Sequence, residues 1–139
     1  MPSIIYGSFV RDGFKGDIDL DVDNVWVMIC GSGYSENKDH AKRSDITNEL
    51  SGSGYSAGGF SVGAVSVTYD SANDRTDIVL PAVNSPSVTL TGAQKFVYYK
   101  RRGGAATADE LICCIDNGTG LNPAAQVIQI GAMTLRFPV

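Results

Sequence analysis

The 139-residue sequence predicts a mainly β fold, a single-domain antiparallel β-sandwich or jelly-roll-like barrel with little helix. Three observations carry that expectation. The apolar runs are short, and turn residues, among them 16 glycines, separate them. Patterns of helical period are scarce and brief. The apolar phase flips between even and odd positions three times, at Asn24, Gly63 and Gly131, and strands that change phase beside a flexible residue bend around a closed core.

From the N-terminus, residues 1–14 read as an arm whose Ile4, Ile5, Tyr6 and Phe9 are too apolar for a free tail. Within and beyond it, "SFVRDGFKG" can make two helical turns from a Ser8 cap. "GDIDLDVDN" alternates strictly, with Ile18, Leu20 and Val22 on one face and Asp17, Asp19, Asp21 and Asp23 on the other, so it reads as strand. A turn or bulge at Asp23-Asn24 then shifts the phase into Val25 to Cys30, whose unbroken apolar run implies burial on both faces. Residues 31–59 form one long polar excursion, bracketed by two copies of "GSGYS", with one helical turn expected in "SDITNEL".

Phe60 and Val62 give way to Val65, Val67 and Tyr69 across Gly63-Ala64. Val65 to Tyr69 and Thr76 to Leu80, joined by "DSANDR", read as a hairpin. Further strands are expected at Val88 to Thr91, Ala93 to Lys100 and Glu110 to Asp116, with "DNGTG" as a turn. A last bent strand runs from Ile128 through Gly131 to Phe137.

Apolar residues make up 43% and charged residues 19%, which fits a globular chain and excludes a disordered or coiled-coil one. A net charge of −4 argues against whole-molecule attraction to nucleic acid or to an anionic membrane. The N-terminus lacks a positive region followed by an apolar core, and no run approaches the roughly 18 apolar residues of a membrane helix, so a soluble protein made in the cytosol is expected. Cys30, Cys113 and Cys114 are odd in number, and the adjacent pair would point to opposite sides of a strand, which disfavours a disulfide framework. With His40 as the sole histidine and no CxxC pair, a zinc site is not expected.

"VWVMICGSGYSE" invites a dinucleotide reading, because a buried strand leading into Gly-x-Gly is how such sites begin. Its sixth position holds Glu36, an anion where the phosphate needs positive potential, and "NKDHAKRSDITNEL" is too sparse in apolar residues for a packed helix. Asp17, Asp19, Asp21 and Asp23 match the odd-position oxygens of an EF-hand loop, yet Val22 and Met28 stand where its glycine and bidentate glutamate belong. A looser surface calcium site and a plain acidic face both remain as readings of that row. His40 lies in polar surroundings without a nucleophile elbow, "LICCID" is the apolar context in which cysteine acts as a small hydrophobe, and no carboxylate pair stands out. No catalytic residue, cofactor or metal is therefore expected. "YYKRRGG", with Tyr98, Tyr99, Lys100, Arg101 and Arg102, reads first as a solvated hairpin end; as a contact it suits an acidic protein partner better than DNA.

Together "FKGDIDLDVDNVWVMI", "KRSDITNELSGSGYSAGG" and "VTYDSANDRTDIVL" resemble a family of small structural proteins encoded by tailed bacteriophages beside their capsid genes. The resemblance spans about Phe14 to Asp116 and is most specific from Asp45 to Gly59; "YYKRRGG" and the paired cysteines lie outside its pattern. It implies a capsid cement, or decoration, protein similar to the jelly-roll cement proteins of podophages such as that of Bordetella. Such a protein sits on the exterior of an icosahedral head, binds HK97-like major capsid protein, bridges neighbouring capsomers and is often a symmetric homo-oligomer, with no nucleic-acid or membrane partner expected. Candidate capsid or subunit contacts are Ile4, Ile5, Tyr6 and Phe9 in the arm, Tyr34 and Tyr55 in the excursion, and Lys100, Arg101 and Arg102. The competing expectation is a tail, fibre or connector component that binds glycans or proteins, with Trp26, Tyr34 and Tyr55 as stacking candidates.

Overall fold

Strand formation follows the continuous apolar runs most closely. In the computed structural model, which describes residues 3–139, Val25–Cys30 (β2), Ala93–Lys100 (β7) and Leu111–Leu121 (β8) form the middle of a five-stranded antiparallel sheet, closed at its edges by Ser3–Ile5 (β1) and Phe60–Ser61 (β3) in the order β1-β8-β7-β2-β3. A three-stranded antiparallel sheet, order β10-β5-β4, is built from Ser66–Asp70 (β4), Arg75–Leu80 (β5) and Met133–Pro138 (β10). Val83–Asn84 (β6) and Gln129–Ile130 (β9) pair beside them. The architecture is β-sandwich-like, with 42% strand and 11% helix.

Residues 25–30, 96–99 and 111–115 of the central strands are apolar without a break because each face of the sheet there meets a different core. One core holds Val25, Val27, Ile29, Phe96 and Tyr98 of the large sheet against Ile78, Leu80 and Leu135 of the small one. The other lies on the opposite face of the large sheet and gathers Tyr6, Met28, Cys30, Tyr34, Val97, Tyr99, Leu111 and Cys114. Cys113 and Cys114 do divide between the two. A bulge between Tyr98 and Tyr99 puts Ile112 and Cys113 together on the inner face, the two-against-one geometry of an extra strand residue.

Several local expectations change in the folded chain. The row "DIDLDVD" is a turn, not a strand: the Asp23 carboxylate accepts the Asp19 N–H at 2.6 Å, Ile18 and Leu20 are buried, and Val22 is 77% exposed. The four aspartates therefore do not form the alternating face of a strand. "DNGTG" does not end a strand; it loops out within β8, whose pairing resumes at Ala93 with Leu121. Residues 88–91 make only a single bridge, Val88 with Gln126.

Of the expected arm, residues 3–14 are built into the body, and Met1 and Pro2 lie outside the described residues. Ser3–Ile5 pairs with Cys113 to Ile115 of β8, and Gly7–Lys15 forms a nine-residue helix (α1). Tyr6, not Ser8, occupies the cap position, and Gly16 closes the helix in the left-handed region at φ 82°. In "SDITNEL" the turn is a 3₁₀ segment, Arg43–Asp45, held by the Asp45 carboxylate on the Ala41 and Lys42 N–H groups.

The excursion 31–59 wraps the edge of β2. Because β3 pairs only with Trp26 and Val27, the remaining edge is satisfied by Leu50, whose N–H donates to the Ile29 carbonyl, and by the Tyr55 hydroxyl, which accepts the Ile29 N–H at 2.9 Å. Gly59 closes it so tightly that a β-carbon there would stand 1.8 Å from the Val27 carbonyl oxygen.

Candidate protein interface

The second "GSGYS" lies flat against the body, not at a hinge. A β-carbon on Gly52 or Gly54 would collide with the Thr89 or Ser87 carbonyl, at 2.0 and 2.1 Å. Tyr55 is half-buried and donates its hydroxyl to Glu49, which also accepts the Gly58 N–H at 2.7 Å. The first copy is equally fixed. Buried Tyr34 places its hydroxyl 2.8 Å from that of Tyr6 and 2.9 Å from His40 Nδ1, and burial pushes its ionisation up to about 12. Lys95 donates to the Tyr34 carbonyl and pairs with Glu36 at 2.7 Å, so the anion that argued against a phosphate site serves as an internal counter-ion.

The predicted contact residues therefore divide. Tyr6, Phe9 and Tyr34 are 0%, 5% and 1% exposed, which corrects their reading as surface contacts: their apolar area is spent inside this chain. Ile4 and Ile5 are half-buried in β1. Tyr34 is likewise closed to a sugar, and the Trp26 ring is covered by the Arg101 guanidinium, 3.8 Å above its centroid.

"YYKRRGG" is a solvated hairpin end only in part: Arg102, Gly103 and Gly104 are exposed in the connection between β7 and β8, and the residues before them are not. Tyr98 and Tyr99 are fully buried on opposite faces of β7. Lys100 pairs with Asp23 at 3.1 Å and donates to the Asp17 carbonyl, while Arg102 grips Glu110 with both Nε and Nη2, at 3.0 and 2.6 Å. These cations are consumed in folding. Burial raises the Glu110 carboxyl, but the Arg102 fork and Lys42 pull it further the other way, leaving it below the usual carboxylate range.

A different surface is open, whose Tyr69, Phe137 and Val139 the sequence reading did not select, although its Val10 and Phe14 fall within the N-terminal stretch expected to make contacts. The inner-face row Tyr69, Thr76 and Phe137 runs across β4, β5 and β10, and beside it lie Val10 and Phe14 of α1. Phe14 is 89% exposed, Val139 83%, Tyr69 60% and Val10 41%, and a groove of about 530 Å³ lies between the helix and the sheet. Periodicity had marked Val65, Val67 and Tyr69 as one face; only Val65 is buried.

Chemistry-bearing groups are dispersed or buried. No cluster of three or more His, Cys, Asp or Glu residues that could hold a metal occurs among the described residues, and no helix among them is long and apolar enough to cross a membrane. The three thiols are buried, and burial raises each of them. No protein-family profile, curated protein or solved structure matches this chain.

Proposed function

We propose that this protein is a non-enzymatic structural component of a bacteriophage virion, a cement protein that binds the outside of the head and bridges major capsid protein subunits. The exposed apolar strip of Val10, Phe14, Tyr69 and Val139 is the observation that supports attachment to a protein surface, since a small soluble domain gains nothing from leaving such groups in water. Rigid construction fits the same role. An excursion pinned at both pentapeptides cannot absorb strain, so load between capsomers passes through the sandwich. Contacts that are weak singly become strong when several copies, or several faces of one oligomer, attach together.

Two measurements test the proposal. Purified virions are expected to contain the chain at a copy number comparable with the major capsid protein, and Phe14→Ser is expected to keep its thermal stability while losing retention on heads. A copy number near that of a tail or connector ring, or full retention of Phe14→Ser, overturns it.

A further inference from the structure

Arg101 is the one arginine with no carboxylate within salt-bridge distance among the described residues; Arg11, Arg43, Arg75, Arg102 and Arg136 each have one. Its backbone is fixed, the N–H donating to the Asn24 carbonyl at 2.8 Å, and its guanidinium carbon sits over the Trp26 ring, 3.8 Å from the centroid. Stacking uses the face of the guanidinium and leaves its in-plane N–H donors free. Beside it, Arg43 spends Nε on Asp109 at 2.7 Å and sits 5.3 Å from the centre of the Tyr99 ring. The two guanidinium groups meet over buried Gly58, where the position of a β-carbon would lie 3.1 Å from the Tyr99 hydroxyl, 3.5 Å from Nη1 of Arg101 and 3.8 Å from Nη1 of Arg43. The Trp26 indole N–H, shielded from solvent in the same patch, has no hydrogen-bond partner in the fold.

We propose that Arg101 and Arg43, on their Trp26 and Tyr99 platform, form a docking point for a carboxylate side chain of an acidic peptide segment on a partner protein. Neighbouring guanidinium groups with unspent N–H donors match the planar, two-oxygen geometry of Glu or Asp, and arginine on an aromatic base is the composition of an interface hot spot. A nucleic acid strand fits less well. The neighbouring carboxylates of Glu49 and Asp109 and the net charge of −4 repel a backbone with a phosphate at every residue more strongly than they repel one carboxylate among neutral residues. The site stands whether or not the partner is a capsid.

The sole tryptophan gives the assay. A capped peptide with one glutamate between neutral residues, Ac-Ser-Gly-Glu-Gly-Ser-NH₂, titrated into the ¹⁵N-labelled protein is expected to shift the single indole N–H peak and the Gly58 amide saturably, with the effect weakening as salt rises. Arg101→Gln is expected to reduce the affinity at least about tenfold with its thermal midpoint preserved, and Arg101→Lys, which keeps the charge but not the fork, to reduce it nearly as far. Lys15→Gln, an exposed cation elsewhere, is expected to change nothing. Absence of a saturable shift, or equal binding by Arg101→Gln, overturns the proposal; a hexathymidylate strand that binds as tightly and with the same Arg101 dependence overturns the choice of an acidic peptide.

Discussion

Replacing Tyr55 with Phe removes one oxygen from the place where the excursion is tied to the sheet. That oxygen accepts the Ile29 N–H at 2.9 Å and donates to Glu49 at 2.7 Å, and Ile29 is fully buried in β2. Without it a backbone donor is stranded at the strand edge, which costs about 1–3 kcal/mol, and a hydrogen bond to a charged acceptor of about 1.5–3 kcal/mol is lost. The two losses share one atom and do not add in full, so about 2–3 kcal/mol is expected, or a fall in melting temperature of about 7–10 °C for a chain of this size. Urea and thermal unfolding followed by circular dichroism measure it. Tyr69→Phe is the control, because its hydroxyl meets Asp74 on the surface and its loss is expected to cost under about 0.5 kcal/mol. If Tyr55→Phe were as mild as Tyr69→Phe, the excursion would not be pinned through this hydroxyl, and the rigidity argument would fail with it.

Acid sensitivity provides a second check. Glu110 is held below its ordinary value in the folded state, so its contribution is complete above the unfolded carboxylate value of about 4.3 and is lost as pH falls through the lower folded value. Stability of Glu110→Gln, measured by urea unfolding from pH 7 to pH 3, is expected to fall less steeply on the acid side than that of the parent; parallel curves would contradict the assignment. Thiol titration gives a third. Cys30, Cys113 and Cys114 are buried, and burial pushes Cys114 up to about 12. The native protein at pH 8 is expected to leave a disulfide reagent unreacted and to yield all three thiols in urea, whereas one fast native thiol would show that a core opens readily.

The legible parts of the fold were those governed by neighbours in sequence. Ala93–Lys100 appears with the bounds that its apolar run implies, and the hairpin Ser66–Asp70 with Arg75–Leu80 follows the turn chemistry of "DSANDR". The bend at Gly131, between Gln129–Ile130 and Met133–Pro138, was visible as a change of phase. "DIDLDVD" misled because alternation of period two describes which residues prefer water, and a turn carried by the Asp23 carboxylate can bury Ile18 and Leu20 as well as a strand can. The candidate contacts misled for a related reason. An apolar N-terminus shows that Tyr6 and Phe9 must be covered, but not whether this chain or a partner covers them.

Sequence by itself determined the strand-rich class, the central strands buried on both faces, the glycine-dependent turns and the scarcity of helix, because backbone preference and side-chain period act over a few residues. Tertiary structure alone decided which charges are free. Lys100 meets Asp17 and Asp23, Arg43 meets Asp109, and Arg101 lies on Trp26, partners drawn from distant stretches of the chain. Of three consecutive cations in "KRR", folding neutralises the first and the last and leaves the middle one over Trp26 with its donors open, an outcome fixed by where the chain leaving β7 finds carboxylates.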